Sequence, residues 1–337
     1  MNYPRECWYV AATIDEVGDN LVARRILGTP VLLYRLADGS VAALEDRCAH
    51  RPYPLSAGYR DGDRVVCGYH GCTYDPDGSC VLIPSQDNPP PGARVRAFPV
   101  HVSEPFVWVW MGTPGSARLR PPPATPELTS GDGWSSTGER RDVAAGFLLL
   151  HEHYLDLTNV FEMHAEMVPP GIEALPPLEE VEISEVSVSY ARELPEAPLA
   201  PWEAAVSGLD SSEAFSRRET GTFVTPGLHR QTYTISGGDS PVFELVRLHG
   251  FTPQTPGSTR VFLQLAWRGT AVATDAGQRL TEVFHVMADR DSRVIETMQR
   301  CLDEDEPSRR YVNVKADRAA VRARRIVQSM IEEERGL

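Results

Sequence analysis

A chain of 337 residues, 42% hydrophobic and 24% charged, is long enough for two domains and can bury a sizeable core. Its formal net charge of −14 argues against wrapping nucleic acid or binding an anionic membrane, since either needs a basic face. The longest apolar run, "VAAGFLLL" at 143–150, falls well short of the roughly 20 residues of a membrane span. The first residues carry no basic-then-apolar leader, so the expected compartment is the cytoplasm, where thiols stay reduced. Six cysteines are too sparse for a disulfide scaffold and are better considered as ligands.

In chain order, the first strong signal is "VLLYRLADGSVAALEDRC", which alternates apolar and polar residues around Asp38-Gly39, a hairpin turn dipeptide. "TYDPDGSCVLI" repeats the device at Asp77-Gly78. Between them lies Cys48-x-His50, then sixteen residues, then Cys67-x-x-His70. Two loops projecting from antiparallel strands would present these pairs to one metal group. Zinc accepts two cysteines and two histidines, but its usual spacing pairs cysteine with cysteine and histidine with histidine. A pair that mixes the two suits a [2Fe–2S] cluster with Cys48 and Cys67 on one iron and His50 and His70 on the other. Neutral imidazoles leave less negative charge on such a cluster and raise its potential, so that it accepts electrons from a lower-potential donor.

Beyond it, "TPGSARLRPPPATPELTSGDG" at 113–133 reads as a linker. The stretch 179–193 alternates as a half-buried strand, and "TGTFVTPGLHRQTYTIS", "VFELVRLHGFTPQ" and "TRVFLQLAWRG" extend the series into an antiparallel sheet. Val321, Ile326, Val327, Met330 and Ile331 form a helical stripe near the C-terminus. Strands followed by helices predict an α+β fold. The domains expected are residues 1–115, a linker at 116–135 and a second domain at 136–337. Gly131-x-Gly133 lacks a third glycine and a preceding strand, so no dinucleotide site is expected and electrons must come from elsewhere. His101, His229, His249 and His285 are expected to be satisfied structural histidines, with His285 or His249 as pocket candidates, and Cys7 and Cys301 inert thiols.

Together with "CWYVAA" at 7–12, "CGYHG", "YDPDGSC", "IPSQ" at 83–86 and "FVWVWMG" at 106–112, the Cys/His stretch resembles the Rieske domain of Rieske non-haem iron oxygenases. It is most similar to the oxygenase components of the vanillate O-demethylase, dicamba and toluenesulfonate monooxygenase group. Cys72 stands where an aromatic residue is usual. The resemblance implies an all-β Rieske domain followed by a helix-grip, START-like catalytic domain with an antiparallel sheet and C-terminal helices. It also implies a mononuclear Fe(II) held by two histidines and a carboxylate.

The family spaces its second site as Asp, two residues, His, four residues, His; this chain has Asp156, Asn159 and His164, with Asp291 as the best carboxylate and Asp289 as runner-up. Positions 159 and 164 are about 140° apart on an ideal helix, so a distortion is required for both to face one ion. Three alternatives stand for Asn159, in this order. Its amide oxygen ligates iron; the site has lost iron; or His153 takes over, His and Asn having exchanged places. The third needs a sharp interruption, because residues 153 and 164 would lie about 16 Å apart along an unbroken helix. By resemblance, Asp156 relays electrons between His70 of a neighbouring subunit and His164, within a homotrimer. The function implied is a monooxygenase that hydroxylates, demethylates or N-oxidises a small aromatic substrate with O2. Its electrons would come from an external NAD(P)H-dependent reductase or ferredoxin. The competing expectation is an electron-transfer or structural subunit with a degenerate iron site.

Overall fold

The computed structural model describes residues 3–336 other than 130, 239 and 307, and the backbone alone at 179 and 180. It divides into two compact units, one comprising Tyr3–Pro122 with Thr252–Thr255, the other Pro123–Phe251 with Pro256–Leu337.

The first unit is built from β1 (Trp8–Thr13), β2 (Val22–Ile26), β3 (Thr29–Arg35), β4 (Val41–Glu45), β5 (Tyr59–Asp61), β6 (Arg64–Val66), β7 (Thr73–Tyr74), β8 (Cys80–Leu82), β9 (Val100–Ser103) and β10 (Phe106–Trp110). They form three small sheets, ordered β1-β10-β9, β2-β3-β4 and β5-β6-β7-β8. The two Asp-Gly signals make matching turns. Gly39 and Gly78 sit at φ +86° and +85°, and Asp38 and Asp77 each accept a backbone N–H two residues on at 2.9 Å. One apolar cluster, with Tyr9, Val31, Leu33, Val107 and Val109, packs the β1 side; another, with Leu32, Leu44, Leu55, Cys48, Cys67 and Tyr74, lies beneath the Cys/His loops.

In the second unit, β11 (Ser135–Val143), β12 (Glu179–Ile183), β13 (Val188–Pro198), β14 (Ala214–Thr225), β15 (Leu228–Gly237), β16 (Ser240–Thr255) and β17 (Ser258–Gly269) form a seven-stranded antiparallel sheet ordered β11-β17-β16-β15-β14-β13-β12. The single strand expected over 179–193 is a hairpin, because Ser184 and Ser187 bond to one another across a turn, 2.7 Å between hydroxyls. The segment expected to be a linker is partly structured, with short 3-10 turns at Pro114–Leu119 and Pro126–Leu128 before β11 begins.

The helices are α1 (Phe147–Leu155), the single turn α2 (Val160–Met163), α3 (Pro201–Ser207), α4 (Ala276–Glu304) and α5 (Arg318–Arg335). Helix α4 buries Ala276, Leu280, Phe284, Ala288, Asp291 and Ile295, a stripe at spacings of three and four with a carboxylate set into it. Register places three rows on one face of the sheet: Val188, Phe223, His229 and His249; Tyr190, Gly221, Gln231 and Arg247; Arg192, Glu219, Tyr233 and Leu245. Gly221 must be glycine, since a Cβ there would meet the Tyr190 ring at 2.4 Å.

Where β14 approaches α3, a fully buried ion pair closes the core. Arg217 donates to both oxygens of Glu203 at 3.0 and 2.7 Å, and to the carbonyls of Ala197, Pro198 and Phe215; Tyr233 also donates to Glu203 at 2.7 Å. Such a pair gains little over apolar packing but is costly to break, because the surviving charge stays buried. Glu203→Ala is expected to lose about 3–5 kcal/mol of stability. Replacing Glu203 and Arg217 together by methionine should lose less, as chemical denaturation of the two variants would show.

Candidate metal centres

Two loops bring the first donor set together. Cys48 lies beyond β4, and Cys67 opens the turn between β6 and β7. The two thiols are buried, whereas His50 and His70 are exposed, with ring centroids 4.7 Å apart. Packing of one loop on the other fixes the tips. Gly71 sits at φ +72°, where a Cβ would meet Pro84 at 2.8 Å, and a Cβ on Gly68 would meet the Ala57 carbonyl at the same distance. The Cys48 sulfur lies 3.1 Å from the Tyr74 hydroxyl. Burial opposes ionisation of Cys48, but that hydroxyl and the His50 and Arg51 amides outweigh it and hold the thiol below its ordinary range. Burial pushes Cys67 up. Cys72, in the same core, is pushed up to about 12 by burial and the neighbouring thiols, which suits an inert packing role. Two sulfurs within and two imidazoles at the rim form a donor set with the asymmetry of a Rieske cluster.

The second donor set depends on a helix that stops. At Asp156 the backbone leaves α1 for φ −127°, ψ 104°. The Asp156 carboxylate accepts from the Thr158 amide at 3.0 Å and from its hydroxyl at 2.7 Å. This local turn competes with the helical ladder, as Asp-x-Thr sequences do. The chain resumes for one turn in α2 and breaks again at His164. Helix α4 holds both sides of the interruption: Gln299 accepts the Gly146 amide at 2.9 Å, and Arg290 donates to the Met163 carbonyl at 3.0 Å.

The break folds His153 back toward His164, and their Nε2 atoms lie 3.1 and 2.8 Å from a single atom, Oδ1 of Asp291. All three side chains are at most 7% exposed. The Tyr154 hydroxyl reaches the other carboxylate oxygen at 3.3 Å. Burial alone would raise the Asp291 carboxyl, but the hydrogen bonds from His153 and His164 outweigh it and hold it well below the usual carboxylate range. Burial and Asp291 push Tyr154 well above its ordinary range.

Asn159 is not drawn into this group. Its amide nitrogen approaches the Met163 sulfur at 3.4 Å, and the residue lines the adjoining cavity. The order expected from the sequence, amide first and His153 last, therefore runs against the geometry. That order ranked His153 last because it needs a sharp interruption, and the helix is interrupted at 156–159. Asp289 lies at the surface, bound to Arg141 at 2.7 Å. His285 is also exposed and meets Glu139 at 2.6 Å. Neither His285 nor His249 lines the main cavity. His229 and His249 are not the satisfied histidines expected, since neither has a hydrogen-bond partner among the described residues. Burial pushes both well down and keeps them neutral.

The cavity, counted together with the open solvent at its mouth, measures about 790 Å³. Leu194, Trp202, Tyr233, Leu245, Phe284 and Met287 make its walls largely apolar, and His153, His164 and Asp291 border it. Among the described residues no group of three or more His, Cys, Asp or Glu stands ready as a metal cage. The two Nε2–Oδ1 separations nevertheless match the edge between neighbouring ligands of one ion, about 3 Å for bonds of about 2.1 Å at right angles. Two imidazole nitrogens and one carboxylate oxygen would be the donors, so the residues fit a mononuclear iron.

Two donor sets of such different chemistry in one chain mark a redox enzyme rather than a zinc-stapled binding module. The comparisons name the class. The family model for the vanillate O-demethylase oxygenase C-terminal domain matches residues 143–333, and that for the Rieske [2Fe-2S] domain matches 7–99. A vanillate O-demethylase oxygenase subunit of Pseudomonas sp. (strain HR199 / DSM 7063) is 29% identical over 98% of this chain and 96% of its own length. The toluene-4-sulfonate monooxygenase iron-sulfur subunit of Comamonas testosteroni is 39% identical over 48% of this chain. The dicamba O-demethylase oxygenase component of Stenotrophomonas maltophilia is 36% identical over 49%. These two alignments span about half of the relatives, 46% and 48% of their lengths. A crystal structure of dicamba monooxygenase bound to 3,6-dichlorosalicylic acid superposes with a TM-score of 0.90 at 24% identity, covering all of both chains, and shows a shared fold. The chain belongs to the vanillate O-demethylase oxygenase family, with a Rieske [2Fe-2S] domain ahead of the family's C-terminal domain.

Sequence reasoning passed over Tyr154, which steadies the carboxylate, and Glu219 and Arg247, which line the cavity from the sheet. Only strand register, unknown from one sequence, puts the last two on the inward face. Tyr154→Phe removes one donor from a buried carboxylate and is expected to lower stability by about 1 kcal/mol with little repacking, measurable by thermal unfolding.

Proposed function

We propose that this chain is the terminal oxygenase of a multicomponent monooxygenase, hydroxylating, demethylating or N-oxidising a small aromatic substrate. Cys48 and Cys67 hold one iron of the cluster and His50 and His70 the other; His153, His164 and Asp291 hold the mononuclear iron. When bound, the cluster supplies single electrons and the iron supplies dioxygen activation. The observation that carries this assignment is the convergence of His153 and His164 on one oxygen of Asp291 at the cavity wall.

The protein's own contribution is placement and dryness. Tyr154 binds the second oxygen of Asp291, which leaves Oδ1 to face the histidines. The apolar walls exclude water and orient a planar ring against the metal-binding side. The exposed edges of His50 and His70 are where electrons would enter and leave the cluster. Asp156, kept at the break in the helix, fits the family's relay between the cluster of one subunit and the iron of the next, which supports a homotrimer. With no dinucleotide motif in the sequence, the electron source is a separate NAD(P)H-dependent reductase or ferredoxin. Six free cysteines, two of them proposed ligands, suit the reducing cytoplasm. No helix among the described residues is long and apolar enough to cross a membrane.

Metal analysis tests the ligand assignment. The reconstituted chain should hold about three irons and two acid-labile sulfides. His153→Ala should retain the cluster and its colour but fall to about two irons, whereas Asn159→Ala should keep the third. Two irons in the unsubstituted chain would instead favour an electron-transfer subunit. Loss of the third iron on changing Asn159 alone would return the ligand role to its amide. The Tyr74 hydroxyl gives a second expectation. Tyr74→Phe removes a hydrogen bond from the Cys48 sulfur and should lower the cluster potential, read by spectroelectrochemical titration.

A further inference from the structure

Beside the main cavity, α4 covers a second, smaller pocket that neither donor set uses. Register places Thr137 of β11 opposite Leu265 of β17, and Glu139 opposite Leu263, so these four side chains share one face of the sheet. Thr281, Phe284 and His285 of α4 close the space over them. The pocket measures about 200 Å³, counted together with the open space at its mouth.

Two sets of shared residues give the pocket its place. Glu139 and His285 line it and also line an open surface cleft with Arg141 and Asp289. Phe284, 5% exposed, lines both the pocket and the main cavity, and among the described residues no other side chain does. Surface cleft, small pocket and main cavity thus follow one another along α4 toward Asp291, which lies about two turns beyond Phe284, about 10 Å along the helix axis.

The lining has little to offer water. The Thr137 hydroxyl lies 3.3 Å from that of Thr281, which donates to the Gly277 carbonyl at 2.8 Å. Glu139 accepts from Arg141 through one oxygen and meets His285 at 2.6 Å through the other. The rest of the side-chain lining is Leu263, Leu265 and Phe284. A water needs about two to four polar partners to stay in such a space, whereas an apolar cavity of about this size remains dry and takes up apolar guests.

We propose that this pocket holds dioxygen on a second route into the main cavity, with Phe284 as the partition between the two. The proposal deepens the oxygenase function given above and rests on it. Dioxygen is uncharged and has no hydrogen bonds to give up, so it enters dry apolar space readily. An aromatic substrate seated in the main cavity obstructs the wider mouth. A separate passage along α4 lets the gas reach the side of His153 and His164 with that substrate in place, and Phe284 is the side chain that moves to admit it.

Crystals of the full chain pressurised with xenon test the site, and stopped-flow association of nitric oxide with the reduced, iron-loaded chain tests the route. Xenon should stand between Leu263, Leu265 and Phe284. Thr281→Met fills the pocket from α4 with a residue that helices accept; it should abolish that xenon and slow nitric oxide association about threefold or more. Thr137→Met fills the pocket from the edge strand and should do the same, which covers failure of the first variant to fold. Val286→Met, on the exposed side of α4, should change neither readout. An empty pocket under xenon, or an unchanged nitric oxide rate in a filled and folded variant, would overturn the proposal. Iron content of the same preparations reports separately on the oxygenase function, since a chain with its third iron and no xenon loses only the route.

Discussion

A carboxylate set into the buried stripe of a long helix has to be met by donors, and Asp291 is such a group. Much of the second unit is arranged around that requirement. Two imidazoles and a phenol reach the carboxylate from α1 and from the end of α2, and they could not all do so if the chain between them were one straight helix. The interruption is supplied locally, by an aspartate that prefers the Thr158 amide to the helical ladder. It is then held from outside, by Gln299 at one end and Arg290 at the other, both on the helix that carries Asp291. Carboxylate and donors are thus positioned by the same element.

The sheet opposite meets a related constraint differently. Its inward face carries Arg192, Glu219, Gln231, Arg247 and His249, far more polarity than a packing surface needs. Some of it is compensated within the protein: Gln231 donates to the Tyr154 carbonyl at 3.1 Å, and Arg192 meets Glu219. The imidazoles of His151, His229 and His249 cluster behind Tyr154, their rings among Phe223 and Phe251, and His151 is pushed down to about 3 by burial. A wall of this composition is less stable than an apolar one would be, as surfaces that hold ligands commonly are.

The cluster domain was the most legible part of the sequence, because each of its signals is local. Asp-Gly turns, alternating strands and mixed Cys/His pairs act over a few residues, and the two turns form as their chemistry dictates. Asp291 was picked out only through the family resemblance; its place in an apolar stripe of α4 is a finding of the structure. The end of α1 was not. Residues 147–155 contain no helix breaker, and the turn that Asp156 makes ends the helix here together with the α4 contacts that hold both sides. The placement of His153 follows from that tertiary outcome and so escaped a pattern read along one helix. Arg247 was hidden for another reason: strand register decides which residues share a face, and a single sequence leaves register open.

The proposed role of His153, rather than residue 159, as a ligand then has a physical basis. A fixed motif is needed only where spacing along a regular helix decides which side chains meet. Here the break lies between the two positions, and both border the same cavity. A side chain from either side of the interruption can therefore be directed at the carboxylate, and the five residues separating them impose no angular rule. What the structure presents is a broken helix facing a buried Asp291 that two imidazoles reach. Asp156, which makes the break, acts on the site through that geometry, whereas Asn159 lines the adjoining cavity.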